Sequence, residues 1–249
     1  MAGHSQFKNI MYRKGAQDAK KAKIFTKIIR EIISAAKGGA PDPNSNPRLR
    51  SAIQWAREEN LPRDRIEAAV KRGSGNIDAD HFEAVRYEGY GPGGTALIIQ
   101  ALTDNRNRTA SDIRAAFSKF GGNLGEPGSV SFMFSHAGLI AYPAAAANEE
   151  AMFEAVLEAG ADNCEFDGAQ HSVFCAHDSF LQVRDALEKR FGAPAFAKLV
   201  WQPQNTVTVN EDQAKSLLKL IDALEDNDDV QEVFANFEIP EAMLARLSA

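Results

Sequence analysis

The chain has 249 residues, 44% hydrophobic and 25% charged, the balance of an ordinary globular protein with room for one to three domains. No run approaches the roughly 18 apolar residues of a membrane span, and MAGHSQFKN lacks the apolar core of a signal peptide. The net charge of −6 divides unevenly: residues 1–80 hold 16 Lys+Arg against 9 Asp+Glu, and residues 81–249 hold 12 against 25. A basic head on an acidic body suggests an anionic partner for the head, nucleic acid foremost, against the plainer reading of a solvated helix face that binds nothing. Cys164 and Cys175 form neither a CxxC pair nor a disulfide framework, so a reduced, cytoplasmic setting is expected.

Residues 1–15 show no strong period and carry Lys8, Arg13 and Lys14, a basic arm leading into a helix over Arg13–Lys37. In that helix Ile24, Phe25, Ile28, Ile29 and Ile32 recur at three-and-four spacing, while Lys20, Lys23, Lys27 and Arg30 fall on a separate stripe. The apolar side is expected to pack and the stripe to present its charges outward. With the initiator Met removed, Ala2-Gly3-His4 would place a histidine third, a copper- or nickel-binding pattern too common to support a metal assignment. Gly38-Gly39 stops the helix, and shorter helices follow at about Pro47–Glu59 and Arg63–Arg72, with Trp55 read as core rather than as a base-stacking platform.

Beyond Gly73–Asp80 the period changes to two. Ala84–Glu88 and Thr95–Leu102 read as strands joined by Gly89-Tyr-Gly-Pro-Gly-Gly94. That string matches GxGxxG, but a strand rather than a helix follows it, so it is a hairpin turn and not a dinucleotide site. Arg106 and Arg108, in Asp104-Asn-Arg-Asn-Arg-Thr109, are placed just ahead of a helix capped by Thr109 and Asp112. Two readings stand for them, a phosphate site at a helix N-terminus or pairing with neighbouring acids. Ser129–Phe134 reads as a strand. Residues 136–203 then give βαββαβ, a ferredoxin-like order, with Asp167-Gly168 as a hairpin turn and His171 and His177 as surface residues. Glu211–Glu225 is an amphipathic helix, Val230–Phe234 a strand, and the tail a short helical turn. The acidic run Glu225-Asp-Asn-Asp-Asp229 is read first as a solvated loop, with a cation site and a shield for the basic head as the other possibilities.

MAGHSQFKNI, AQDAKKAKIFTKIIREI, NPRLR, YEGYGPGG, DNRNRTASDIRAAFSKFGGNLGEPGSVSFMF and LIDALEDNDDVQEVFANFE together resemble the YebC/PmpR family, described as probable transcriptional regulators and including a mitochondrial translational activator. The resemblance runs essentially end to end and is weakest over 136–203. It implies an α+β multidomain fold: an N-terminal helical module at 1–80, a middle α/β domain at 81–134 plus 205–249, and an inserted ferredoxin-like βαββαβ domain at 135–204. It also implies a cytoplasmic protein that binds DNA in a regulatory role or acts at the ribosome, and it supplies no catalytic residues. The expected contacts to nucleic acid are Lys8, Arg13, Lys14, Lys20, Lys23, Lys27, Arg30, Arg106 and Arg108. The partner is DNA, or rRNA, tRNA or mRNA at the ribosome; no membrane, small-molecule substrate, cofactor or metal is expected. No HExxH, P-loop or nucleophile elbow is present, so an enzyme is not expected.

Overall fold

The computed structural model describes residues 17–75, 81–240 and Met243, with residues 17–20 described by their backbone. The arm carrying Lys8, Arg13 and Lys14, and most of the tail, lie outside the described residues. Among the described residues the head is a three-helix unit of α1 (Gln17–Lys37), α2 (Pro47–Glu58) and α3 (Arg63–Ser74). Its core joins Ile28, Ile32 and Ile33 of α1 to Leu49, Ala52, Ala56, Ile66 and Ala69, with Trp55 packed partly buried at the edge. Asn46 fixes the entry to α2. Its side-chain oxygen accepts from the Leu49 N–H at 3.1 Å, and its amide donates to the carbonyls of Ala35 and Ala40 at 2.8 and 2.9 Å. A single buried amide thus caps α2 and satisfies the last turn of α1.

Strands β1 (Glu83–Tyr90) and β2 (Ala96–Thr103), helix α4 (Arg106–Lys119), and the short β3 (Asn123–Leu124) come next. β1 and β2 form an antiparallel hairpin, closed by a Gly91 N–H to Thr95 carbonyl bond of 2.8 Å. Gly93 and Gly94 sit there at φ +75° and +73°, which an L side chain adopts only with strain. β2 is buried on both faces, as its apolar residues on either side of the half-buried Gln100 require.

A long strand, β4 (Phe134–Pro143), opens the next unit, followed by α5 (Glu149–Ala159), β5 (Asn163–Phe166), β6 (Gln170–Ala176), α6 (Phe180–Phe191) and β7 (Phe196–Pro203). Their sheet has the order β5-β6-β4-β7, entirely antiparallel, the arrangement of a ferredoxin-like unit. Here the structure corrects two details. The strand expected at Ser129–Phe134 is a 3₁₀ turn at Ser131–Met133, and β4 begins only at Phe134. The cause is the buried Glu88 carboxylate, which accepts the N–H groups of Val130 and Ser131, each at 2.9 Å, and holds that backbone in a turn. His171, expected at the surface, is buried on β6 with Nε2 at 2.9 Å from the Ala147 carbonyl.

The chain then makes β8 (Val207–Thr208), α7 (Glu211–Glu225), β9 (Val230–Ala235) and β10 (Phe237–Glu238). β9 adds to β2, giving the first sheet the order β3-β1-β2-β9, so segments on either side of the ferredoxin-like unit share one sheet. One face of that sheet carries Leu97 and Ile99 against Ile113 and Phe117 of α4 and Leu217, Leu220, Ile221 and Leu224 of α7. The other face sets Ala96, Ile98, Val130 and Phe134 beside Trp201 of β7.

Candidate nucleic-acid interface

In the described part of the basic stripe of α1, Lys23, Lys27 and Arg30 turn toward the body rather than standing free in solvent. It lies along the acidic loop that leads from α7 into β9. Lys23 pairs with Asp226 at 2.8 Å. Lys27 is 8% exposed and donates to the Glu225 carbonyl at 2.9 Å. Arg30 pairs with the Asp229 carboxylate, donates to the Asp228 carbonyl at 2.9 Å, and lies 5.3 Å from the centre of the Phe82 ring. The side chain of Lys20, one turn earlier, lies outside the described residues. Successive cations at three- and four-residue spacing on α1 therefore meet successive carboxylates and carbonyls of the loop, which shields the head while Asp226 and Asp228 stay exposed on its outer side. Burial lowers the pKa of Lys27, and the nearby charges of Glu225, Asp228 and Asp226 work against that shift.

Asp229 is the centre of the contact. Its side chain is 5% exposed, and its backbone carbonyl accepts from the Leu102 N–H at 2.7 Å, pinning the loop to β2. Oδ2 receives the Thr109 hydroxyl at 2.6 Å and an Arg108 N–H at 2.9 Å, with Thr103 at 3.3 Å, while Oδ1 faces Arg30. Burial alone would push the carboxyl upward. The hydrogen bonds from Thr109, Arg108 and Arg30 outweigh it and hold the pKa below the usual aspartate value.

This placement revises the DNRNRT segment. Asn105, not Thr109, caps α4, accepting the Arg108 N–H at 3.1 Å, so Arg106 and Arg108 lie within the first turn rather than ahead of it. Arg108 bridges Asp104 at 2.7 Å and Asp229, bonds that raise its pKa further still. Arg106 is 67% exposed and only loosely associated with Glu83, at 3.9 Å. Arg108 thus follows the ion-pair reading, while Arg106 stays available to an outside anion.

Further exposed cations lie on α2 and α3, where no single helical stripe marks them. Arg57, Arg63, Arg65 and Lys71 are all exposed there, and Arg57, Arg63 and Lys71 rim a shallow groove floored by Ile53, Leu61 and Val70. Their spacing on two short helices makes no single linear motif, which is why only the charge sum of the head signalled them. A cleft of about 670 Å³ opens where head, first sheet and second sheet meet, with Trp55, Trp201, Lys23 and Glu232 among its walls.

Fold and interface together define an α+β protein whose basic three-helix head docks through ion pairs onto a body built on two four-stranded antiparallel sheets. The chain belongs to the TACO1/YebC family: residues 5–76 match the model of the TACO1/YebC protein N-terminal domain, and residues 82–237 match that of the TACO1/YebC second and third domain, which bears the name Transcrip_reg. Among solved structures it is similar to a conserved hypothetical protein, Aq1575 from Aquifex aeolicus, at 45% identity over 90% of this chain and 93% of that one, with a TM-score of 0.83. Among the described residues no helix is long and apolar enough to cross a membrane.

Proposed function

We propose that this chain is a nucleic-acid-binding regulator of gene expression, acting on DNA in transcription, with the three-helix head as its phosphate-binding part. The observation that carries this is the concentration of positive charge in the head, 16 Lys+Arg against 9 Asp+Glu over residues 1–80, in a family whose model is named for transcription regulation. Arg57, Arg63, Arg65 and Lys71 stay exposed while the α1 stripe is engaged by the body. Phosphate neutralisation by such groups is largely blind to sequence, and each contact with duplex DNA adds about −0.9 to the slope of log K against log salt.

The test is titration of the full chain with promoter and random duplexes between about 50 and 200 mM salt, the range over which such contacts show. The expected slope is about −3 or steeper, and it falls when Arg57, Arg63 and Lys71 are changed together to Glu. Binding that is weak, salt-independent and indifferent to those changes would refute the proposal. A clear preference for ribosomes or structured RNA over duplex DNA would place the same head in translation instead.

A further inference from the structure

We propose that the acidic loop at residues 225–229 is an intramolecular competitor for nucleic-acid phosphate. With the head docked, the loop occupies the basic stripe of α1, and a polyanion reaches Lys23, Lys27 and Arg30 only when the head leaves the body. This rests on the nucleic-acid function proposed above and names the step that controls access to part of its surface.

The contact has the chemistry of a reversible clasp. Its bonds are those of Lys23 to Asp226, Lys27 to the Glu225 carbonyl, and Arg30 to Asp228 and Asp229. The cores of head and body are separate clusters, and among the described residues no helix of the head packs along an element of the body beyond isolated contacts. Phe82, beneath Arg30, is a partly buried body residue packed against the head core, and a cleft lined by Lys23, Lys27 and Trp55 of the head and by Glu225 and Asp226 of the loop opens at the junction. Charged contacts of this kind weaken with salt and yield to a competing polyanion, whereas a shared apolar core would not.

Two further features favour separation over unfolding. Lys27 is desolvated in the docked state, a cost that release removes. Asp229 is not orphaned by release, because Arg108 and Thr109 both come from the body and remain on its carboxylate. The loop itself cannot swing far, since the Asp229 carbonyl is held by Leu102 and Val230 is fully buried. The head is therefore the moving part.

The experiment uses the full chain carrying Glu225→Gln, Asp226→Asn and Asp228→Asn, with Asp229 retained. A control with Glu150→Gln, Glu154→Gln and Glu188→Gln has the same net charge but its changes lie on exposed positions of α5 and α6. The probe is a mixed-sequence duplex DNA of about 20 base pairs at about 100 mM salt. The loop variant should bind at least about 5-fold tighter than both wild type and control, because an occluded state lowers affinity by its population. Its salt slope should also be steeper than that of wild type, where salt loosens the clasp as well as the complex. In wild type, a zero-length carbodiimide cross-link between Lys23 and Asp226, 2.8 Å apart, should form in the free protein and be suppressed by DNA. Equal binding by loop variant and control, or a cross-link that persists in the DNA complex, would overturn the occlusion and leave nucleic-acid binding standing. Absence of binding by all three proteins would overturn the nucleic-acid function and this proposal with it.

Discussion

Replacing Asp229 by Asn removes one negative charge from a point where two arginines and two threonine hydroxyls converge. The side chain is 5% exposed, so little water replaces what is lost. Asn keeps one acceptor oxygen, but its NH2 must then face either Arg30 or the Arg108–Thr109 pair, donor against donor. A hydrogen bond to a buried charged group is worth roughly 1.5–3 kcal/mol, and Arg30, 18% exposed, loses about that much. Arg108 is 46% exposed and keeps Asp104, so its share is discounted to about 0.5 kcal/mol. With the Thr109 bond, the total is about 2–4 kcal/mol, and for a chain of this size about 5–10 °C in Tm.

The pH dependence has a fixed sign. A carboxyl held below its unfolded value of about 3.9 contributes stability that is complete above that pH and is lost as the pH falls toward the lower folded value. The Asn variant should therefore lose less Tm than wild type between about pH 5 and pH 2. Thermal melts followed by circular dichroism across that range measure both effects. A Tm at neutral pH within about 1 °C of wild type, or an undiminished acid sensitivity, would show that Asp229 does not hold the interface together.

Asn46→Ala removes a helix cap and the donor to the buried Ala35 carbonyl and the part-buried Ala40 carbonyl, and should destabilise the head by about 2 kcal/mol, read by urea unfolding as a lower midpoint. Gly138→Ala would place a Cβ 2.4 Å from Phe180 and 2.7 Å from the Cys175 sulfur, for a cost of about 1–3 kcal/mol from overpacking. Gly94→Ala meets no atom within 4 Å and should cost about 1 kcal/mol from its φ of +73° alone; the order of the two midpoints is the check. Lys27→Met keeps an apolar stem in a desolvated site and should leave Tm unchanged or slightly raised near pH 7, while the gain over wild type shrinks as the pH rises through the lowered Lys27 pKa toward its unfolded value of about 10.4.

Local physics made most elements readable. The period of α1, the amphipathic period of α7 and the largely apolar run of β2 each specify an element whose residues appear where they were expected. The rejoining of β9 to β2 across the ferredoxin-like unit is a different matter, because periodicity says which face is apolar and not which distant segment covers it. The same limit explains the stripe of α1. Its helical phase was legible, but its partner lies almost 200 residues away: Arg30 and Asp229 are 199 positions apart. The one available signal was complementarity between an isolated basic stripe and an isolated acidic run, and a surface-loop expectation outranked it. His171 illustrates a clue that was present: with Val173 and Cys175 it occupies the inward positions of β6, and the two-residue period puts all three on the buried face.

The sheet that contains β9 has a consequence for the order in which the protein is made. Every strand pairing of the β4–β7 sheet closes within residues 134–203, so that sheet can assemble as soon as its own segment is synthesised. Its host cannot. Until α7 and β9 emerge, β2 has one open edge, and Leu97, Ile99 and Phe117 have no cover from Leu217, Leu220 and Leu224. The nascent chain therefore carries an apolar strand open along one edge beside an already folded neighbour through the synthesis of more than a hundred residues, from Thr103 to Val230. In this protein the interval of greatest exposure to aggregation or to a chaperone precedes β9, and a truncation just short of that strand would freeze the chain within it.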